Sequence, residues 1–330
     1  MVVNGDSGFH HTPVYGCQLT MLSPLSHPHE QEDTAKYHAS MLVSLCPPTI
    51  MSTSCGSSVQ QFPVEFNPRM APWLLPVTPT ERELIDHSLS TDGGDDDTIC
   101  TIAGTSVTRL SLRCLHPTQW LTDLVINNFF LTLAKRDEEW WVGYPGWKRN
   151  HFFETYFIAM LLNEGHADPS KRGHYDYTKA RDYRRSCIPG NDLFDLDKIF
   201  IPIYLHKSHW VCAAVYMKEQ RIQMYDSLSH FLEEKKRLLK VILRYLKDDH
   251  LDKKLTPLPC HDQWTLIPSD NSTPSQTNDY DCGVFTCMFA LLLSVDSPLL
   301  FSQEDIVLCR QRIALSIISG SASFGFTFLT

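Results

Sequence analysis

The chain has 330 residues, 43% hydrophobic and 11% aromatic, enough for one large domain or two ordinary ones around a sizeable core. A formal charge of −9 and a pI near 5.9 exclude a nucleic-acid-binding surface spread over the whole protein. No run approaches the roughly 18 apolar residues of a membrane span, and no basic-then-apolar leader opens the chain, so a soluble, intracellular protein is expected.

Eleven cysteines are scattered without a C-x-x-C pair, which excludes a disulfide framework or a zinc ribbon and leaves most as small buried hydrophobes. Residues 1–75 carry eight prolines and only seven charged side chains, and read as a mostly disordered extension. Its His10, His11, His27, His29 and His38 show no recurring ligand spacing, so no metal is expected there. A helix is expected over 78–89, with Thr78 as cap, Pro79 at the first helical position and Glu81 completing a capping box. The acidic loop 92–97 lacks the residue order of a calcium-binding EF-hand and reads as solvated. A short strand is expected over 107–112.

Leu121, Leu124, Val125, Phe129 and Leu133 fall near one face of a helix over 117–136, with Thr122 and Asp123 near its start. A second helix is expected over 151–162. The aromatic stretch between them, Trp140 to Trp147, reads as packing under a loop. Charge and polarity then predict loop as far as about Asp195.

Three strands follow at 198–205, 209–216 and 221–226. Pro202 cannot donate to a ladder, which places the first at an edge or on a bulge. The second and third form a hairpin. If its turn is tight, Tyr216 pairs with Glu219 and His209 falls opposite Asp226; a four-residue loop pairing Tyr216 with Arg221 leaves them diagonal. Both registers keep the two on one face, as a candidate Asp–His pair. Residues 230–248 form an amphipathic helix with Phe231, Leu238, Leu239, Ile242 and Leu246 inward. Lys235-Lys236-Arg237 belong mainly to its wet face. Residues 264–268 read as a strand.

The polar loop 276–283 runs into an apolar helix over 284–295, in which Phe285, Met288, Phe289 and Leu292 recur at helical spacing. Cys282 sits where loop becomes helix N-terminus, and unpaired N–H groups there favour a thiolate. Gln276 brings an amide donor into the same loop. Nucleophile, base, orienter and oxyanion donor are all represented.

His209-Trp210, Tyr225-Asp226-Ser227 and Gln276-x-Asn278-x-x-Asp281-Cys282-Gly283 resemble, in that order, the motif set of the SUMO-specific cysteine proteases, the ubiquitin-like-protein protease family. Trp120-Leu121-Thr122-Asp123 resembles that family's early helix, with Thr122 where the family usually has Asn. The resemblance covers about residues 76–318, leaving 319–330 as a tail. It implies an α+β, papain-like fold: a central mixed or antiparallel sheet flanked by helices. It also implies a thiol protease cleaving after the C-terminal diglycine of SUMO, in deconjugation and/or precursor processing, inside the nucleus and/or cytoplasm. By motif position Cys282 is the nucleophile, His209 the base, Asp226 its orienter and Gln276 the oxyanion donor. Trp120 and Trp210 match tryptophans that close a tunnel over the diglycine, a slot that residues with a Cβ cannot thread. Asp123 matches a modifier contact. No cofactor or metal is expected, and the expected partners are SUMO or a related modifier and its conjugates, with no nucleic acid and no membrane. A protease for another ubiquitin-like modifier, a related-clan acetyltransferase and a non-catalytic modifier-binding protein are the alternatives.

Overall fold

Thr78 opens the first helix as the sequence predicts. In this computed structural model, which describes residues 72–322 apart from 145, 148 and 185–187, helix α1 spans Pro79–Leu89. The Glu81 N–H donates to Thr78 Oγ1 at 3.2 Å, and the Thr78 N–H donates to Glu81 Oε2 at 2.7 Å, so both halves of the capping box form. The helix follows Pro72–Leu74, whose Trp73 is fully buried. The histidines of the extension and residues 323–330 lie outside the described residues.

β1 (Thr98–Ile102) and β2 (Thr105–Thr108) pair as an isolated antiparallel hairpin. The strand expected over 107–112 is therefore only two residues of strand. Thr108 Oγ1 accepts from the Ser111 N–H and starts the short helix α2 (Arg109–Leu112) instead. Helix α3 spans Asp123–Gly143 behind a Thr122 cap that accepts from the Val125 N–H. It begins later and runs further than its apolar stripe predicts, and takes in Trp140 and Trp141.

The helix expected over 151–162 is instead strand β3 (Asn150–Phe152) followed by the short helix α4 (Phe157–Leu161). Asp137 on α3 causes the difference: its carboxylate accepts from the Asn150 backbone N–H and side-chain amide, both at 2.7 Å. That bond delivers the segment to the sheet, and local periodicity carries no trace of it. Helix α5 (Tyr177–Arg184) interrupts the stretch expected to be loop.

β4 (Lys198–Leu205), β5 (His209–Tyr216) and β6 (Arg221–Tyr225) match the three expected strands, and β7 (Thr265–Ile267) the fourth. The sheet order is β3-β4-β5-β6-β7, with the outer pairs parallel and the inner two antiparallel. Pro202 stands opposite Cys212 in an unbroken register. β3 covers only Lys198–Phe200 of β4, so the proline lies where that strand is locally an edge.

Both faces of this mixed sheet are covered, which explains why β5 is apolar along nearly its whole length. On one face Phe200, Cys212 and Ala214 pack with α3, helix α7 (Cys282–Ser294) and helix α8 (Ile306–Ser319). On the other, Ile201, Val211, Ala213 and Met224 pack with α4 and helix α6 (Leu232–Lys254). α7 is buried on almost every side, as its unbroken apolar sequence requires. The architecture is α+β, and it brings the N-termini of α6 and α7 to the sheet end where β5 begins and β6 finishes.

Candidate active site

Tyr216 pairs with Arg221, so the β5–β6 hairpin has the four-residue loop 217–220. Continuing that register sets Asp226 diagonal to His209 on the α6 side of the sheet. The side chains close the gap: His209 Nε2 lies 2.6 Å from Asp226 Oδ1, and both are buried. An ionised carboxylate only accepts, so the shared proton belongs to Nε2. The Leu228 N–H donates to the same oxygen at 2.8 Å and fixes the carboxylate's plane.

The ring's other nitrogen, Nδ1, is buried without a hydrogen-bond partner among the described residues. Cys282 lies near enough to the ring to favour its charged form. Burial alone disfavours that charge; Asp226 and Cys282 outweigh it and hold the His209 pKa up to about 9. Burial likewise pushes the Asp226 carboxyl up, but donors from His209 and Lys235 win and hold it below the usual carboxylate range.

Cys282 is the first residue of α7 and is buried. Gly283 brings the helix end against the 120–122 segment: a Cβ on it would lie 2.8 Å from Leu121 Cβ. The preceding Asp281 carboxylate takes the Arg310 guanidinium at 2.6 Å, the Asn278 amide at 2.7 Å and the Gln303 amide at 2.8 Å. Gln276 Oε1 accepts from Ser227 Oγ at 2.6 Å, while its Nε2 donates to the Asn278 carbonyl at 2.5 Å. That amide carries a second N–H.

Trp210 is buried, with Nε1 donating to the Leu121 carbonyl at 3.2 Å and its ring 4.6 Å from that of Tyr204. Trp120 is 43% exposed, an accessible indole next to the contact made by Leu121. Asp123 is half-buried at the first position of α3, and its Oδ1 accepts from the Leu124 N–H at 3.0 Å. Thr122 caps that helix, so the local cap survives the change from the family's usual Asn.

His209, Asp226, Cys282, Gln276 and Trp210 thus converge on one end of the sheet, and Trp120 and Asp123 lie along the segment that Gly283 approaches. Sequence reasoning missed two charged residues here. Lys235, assigned to the wet face, is fully buried and donates to Asp226 Oδ2 at 2.5 Å. Its spacing to Leu238, Leu239 and Ile242 was the available signal. Arg310, on a helix no expectation covered, also donates from Nη1 to the Cys114 and His116 carbonyls and from Nη2 to that of Gln119.

A thiol at a helix start, a buried imidazole beside it and a carboxylate on the ring's far nitrogen form the layout of a thiol peptidase. The comparisons place the chain more closely. Residues 119–321 match the Ulp1 protease family, C-terminal catalytic domain. Ubiquitin-like-specific protease 1A of Arabidopsis thaliana is 30% identical over 256 residues, covering 78% of this chain and 47% of that protein. Sentrin-specific protease 2 of Mus musculus is 26% identical over 259 residues, covering 78% and 40%. The chain thus spans less than half the length of these curated relatives. The C-terminal Ulp1 protease domain solved in complex with Smt3, the yeast ortholog of SUMO, has a TM-score of 0.60 at 24% identity. That alignment covers 76% of this chain and 98% of the other, a likeness of fold. The chain belongs to the Ulp1 protease family.

Proposed function

We propose that the chain is a thiol protease, an isopeptidase, that cleaves after the C-terminal diglycine of SUMO in deconjugation and/or precursor processing, in the nucleus and/or cytoplasm. The observation that carries this reading is the buried His209–Asp226 bond, which leaves the ring's Nδ1 toward Cys282 in a chain of this family.

The Cys282 thiolate attacks the terminal glycine carbonyl, forming the C–S bond while the carbonyl π electrons move to oxygen. The Cys282 backbone N–H, unpaired at the first turn of α7, and the second N–H of Gln276 stabilise that oxyanion. As the tetrahedral intermediate collapses, the C–N bond breaks and imidazolium His209 gives its proton to the leaving amine. His209, now neutral, takes a proton from water; the hydroxide attacks the thioester carbonyl, the C–S bond breaks with Cys282 leaving as thiolate, and the modifier departs with a free carboxylate. Asp226 holds the tautomer and supports the charged ring throughout.

Trp120 and Trp210 flank the approach to Cys282. A slot between indoles admits a backbone without Cβ atoms and rejects bulkier ones, which accounts for a diglycine terminus. Asp123 offers a carboxylate to the body of the modifier.

The test is a panel of ubiquitin-like modifiers carrying a C-terminal fluorophore, with a SUMO vinyl sulfone probe alongside. The SUMO substrate is expected to be cleaved in preference to the others, with the probe labelling Cys282. Cys282→Ala is expected to lose both signals. Full cleavage by the Cys282→Ala chain overturns the nucleophile, and a panel without preference for SUMO overturns the substrate.

A further inference from the structure

Lys235 has no part in the reaction as written, yet it occupies a place where a cation is least welcome. It is fully buried, and it lies in the first turn of α6, where the unpaired N–H groups already carry partial positive charge. Its ammonium meets Asp226 Oδ2 at 2.5 Å, while His209 holds Oδ1 at 2.6 Å. One carboxylate therefore serves two cations, one on each oxygen.

The electrostatic consequence follows from counting charges. In the ionised state the buried chain runs thiolate, imidazolium, carboxylate, ammonium, and is neutral. Without the ammonium it carries one net negative charge, which repels the thiolate and holds the imidazolium proton more tightly. A thiolate formed only at higher pH is a scarcer nucleophile at neutrality, and an imidazolium held too tightly is a poorer acid toward a leaving amine.

Among the described residues, His206 and His230 stand behind Phe231, whose ring lies 6.5 Å from that of His209, and the other groups meet the cluster directly. Asp226 arrives from the end of β6, His209 from β5, and Cys282 from α7. Tyr204 arrives from β4, its hydroxyl's ionisation opposed first by burial and then by Cys282. On α6 itself, Glu234 faces away from the cluster to pair with Arg237 at 2.7 Å. Lys235 is the cation whose bond to Asp226 the catalytic steps do not consume.

We propose that Lys235 is a positioning residue whose buried ammonium neutralises Asp226 from its far oxygen, and so sets the pH window in which Cys282 and His209 are ionised together. This inference rests on the assignment of Cys282 and His209 as nucleophile and base, but not on the identity of the modifier. Asp226 keeps its orientation through the Leu228 N–H, so the part Lys235 adds is its charge.

The test is the pH dependence of Cys282 alkylation by iodoacetamide in the full chain, which needs no modifier. Lys235→Gln keeps a donor for Asp226 and removes the charge. The alkylation midpoint is expected to rise by about half to one pH unit, the scale of one nearby charge partly screened. Lys235→Arg, which keeps both charge and donors, is expected to bring the midpoint back toward the parent chain. Should Lys235→Gln fail to fold by circular dichroism, Lys235→Met tests the same sign. An unmoved or lowered midpoint in the folded charge-free variant overturns the proposal. So does a Lys235→Arg variant that behaves like it, because the donor geometry rather than the charge is then what matters. If the midpoint rises while SUMO substrates stay intact, the substrate reading fails and the role of Lys235 stands.

Discussion

At the scale of single residues, the chemistry depends on which force wins at His209. Burial works against a charged imidazole, and Asp226 and Cys282 reverse that outcome, holding the pKa up to about 9. The ring accordingly keeps its proton through neutral pH, and kcat/KM is expected to fall on the alkaline side as pH passes about 9. The sign extends to folding. A pKa raised above the ordinary 6.5 adds stability that is complete below that value and is lost as pH rises through 9. Asp226→Asn removes the carboxylate that supports the charged ring, so burial then dominates. Activity is expected to drop roughly 10³–10⁴-fold, the scale seen when a triad's orienting carboxylate becomes an amide, and the alkaline limb to move to lower pH. Rate–pH profiles of both chains check this; an unmoved limb in the variant removes Asp226 from the role.

At the scale of elements, the site depends on one close approach. α7 and the 120–122 segment meet where Gly283 leaves no room for a Cβ, and the atom it would strike, Leu121 Cβ, is fixed to the backbone. The Leu121 carbonyl also receives the Trp210 indole. Gly283→Ala therefore shifts Cys282, Trp120 and Trp210 against one another rather than only straining one contact. A stability loss of about 1–3 kcal/mol is expected, as for overpacking elsewhere. A larger proportional loss of kcat/KM, on the order of 10²-fold, follows from misplaced reacting groups. Thermal melts and steady-state rates on one preparation separate the two. Elements of this kind were legible in the sequence where the signal is local. Thr78-Pro79 with Glu81 announced α1, and apolar runs broken by turn residues announced β4, β5 and β6. β3 was not legible, because Asn150–Phe152 becomes a strand through a carboxylate on α3 and a parallel partner nearly fifty residues away. The interior of α6 was half legible: the spacing that put Leu238, Leu239 and Ile242 inward also put Lys235 there, but its charge argued for water.

At the scale of the whole molecule, the proposed catalytic trio was legible because its residue types sit at strand and helix ends that the pattern already located. What holds the halves of the site together was not legible. Arg310 lies on α8, far along the chain from everything it joins, and arginines on helices are ordinarily solvent-facing. In the fold its guanidinium is buried and binds Asp281, the residue before Cys282. It also binds the carbonyls of Cys114, His116, Gln119 and Tyr280, and Gln119 adjoins Trp120. One side chain thereby ties α8, the loop before Cys282 and the wall carrying the exposed tryptophan. Arg310→Met strands the Asp281 carboxylate in the interior and frees four carbonyls. The expected cost is about 3–5 kcal/mol, the scale for breaking a buried pair from one side. Adding Asp281→Asn removes the stranded charge, and the amide still accepts from Asn278 and Gln303. The double variant is therefore expected to recover part of that stability in denaturant titrations. Activity is expected to stay low, because the carbonyls beside Trp120 remain untied. Recovery of stability and activity together would mean that the ion pair alone matters and the wall positions itself.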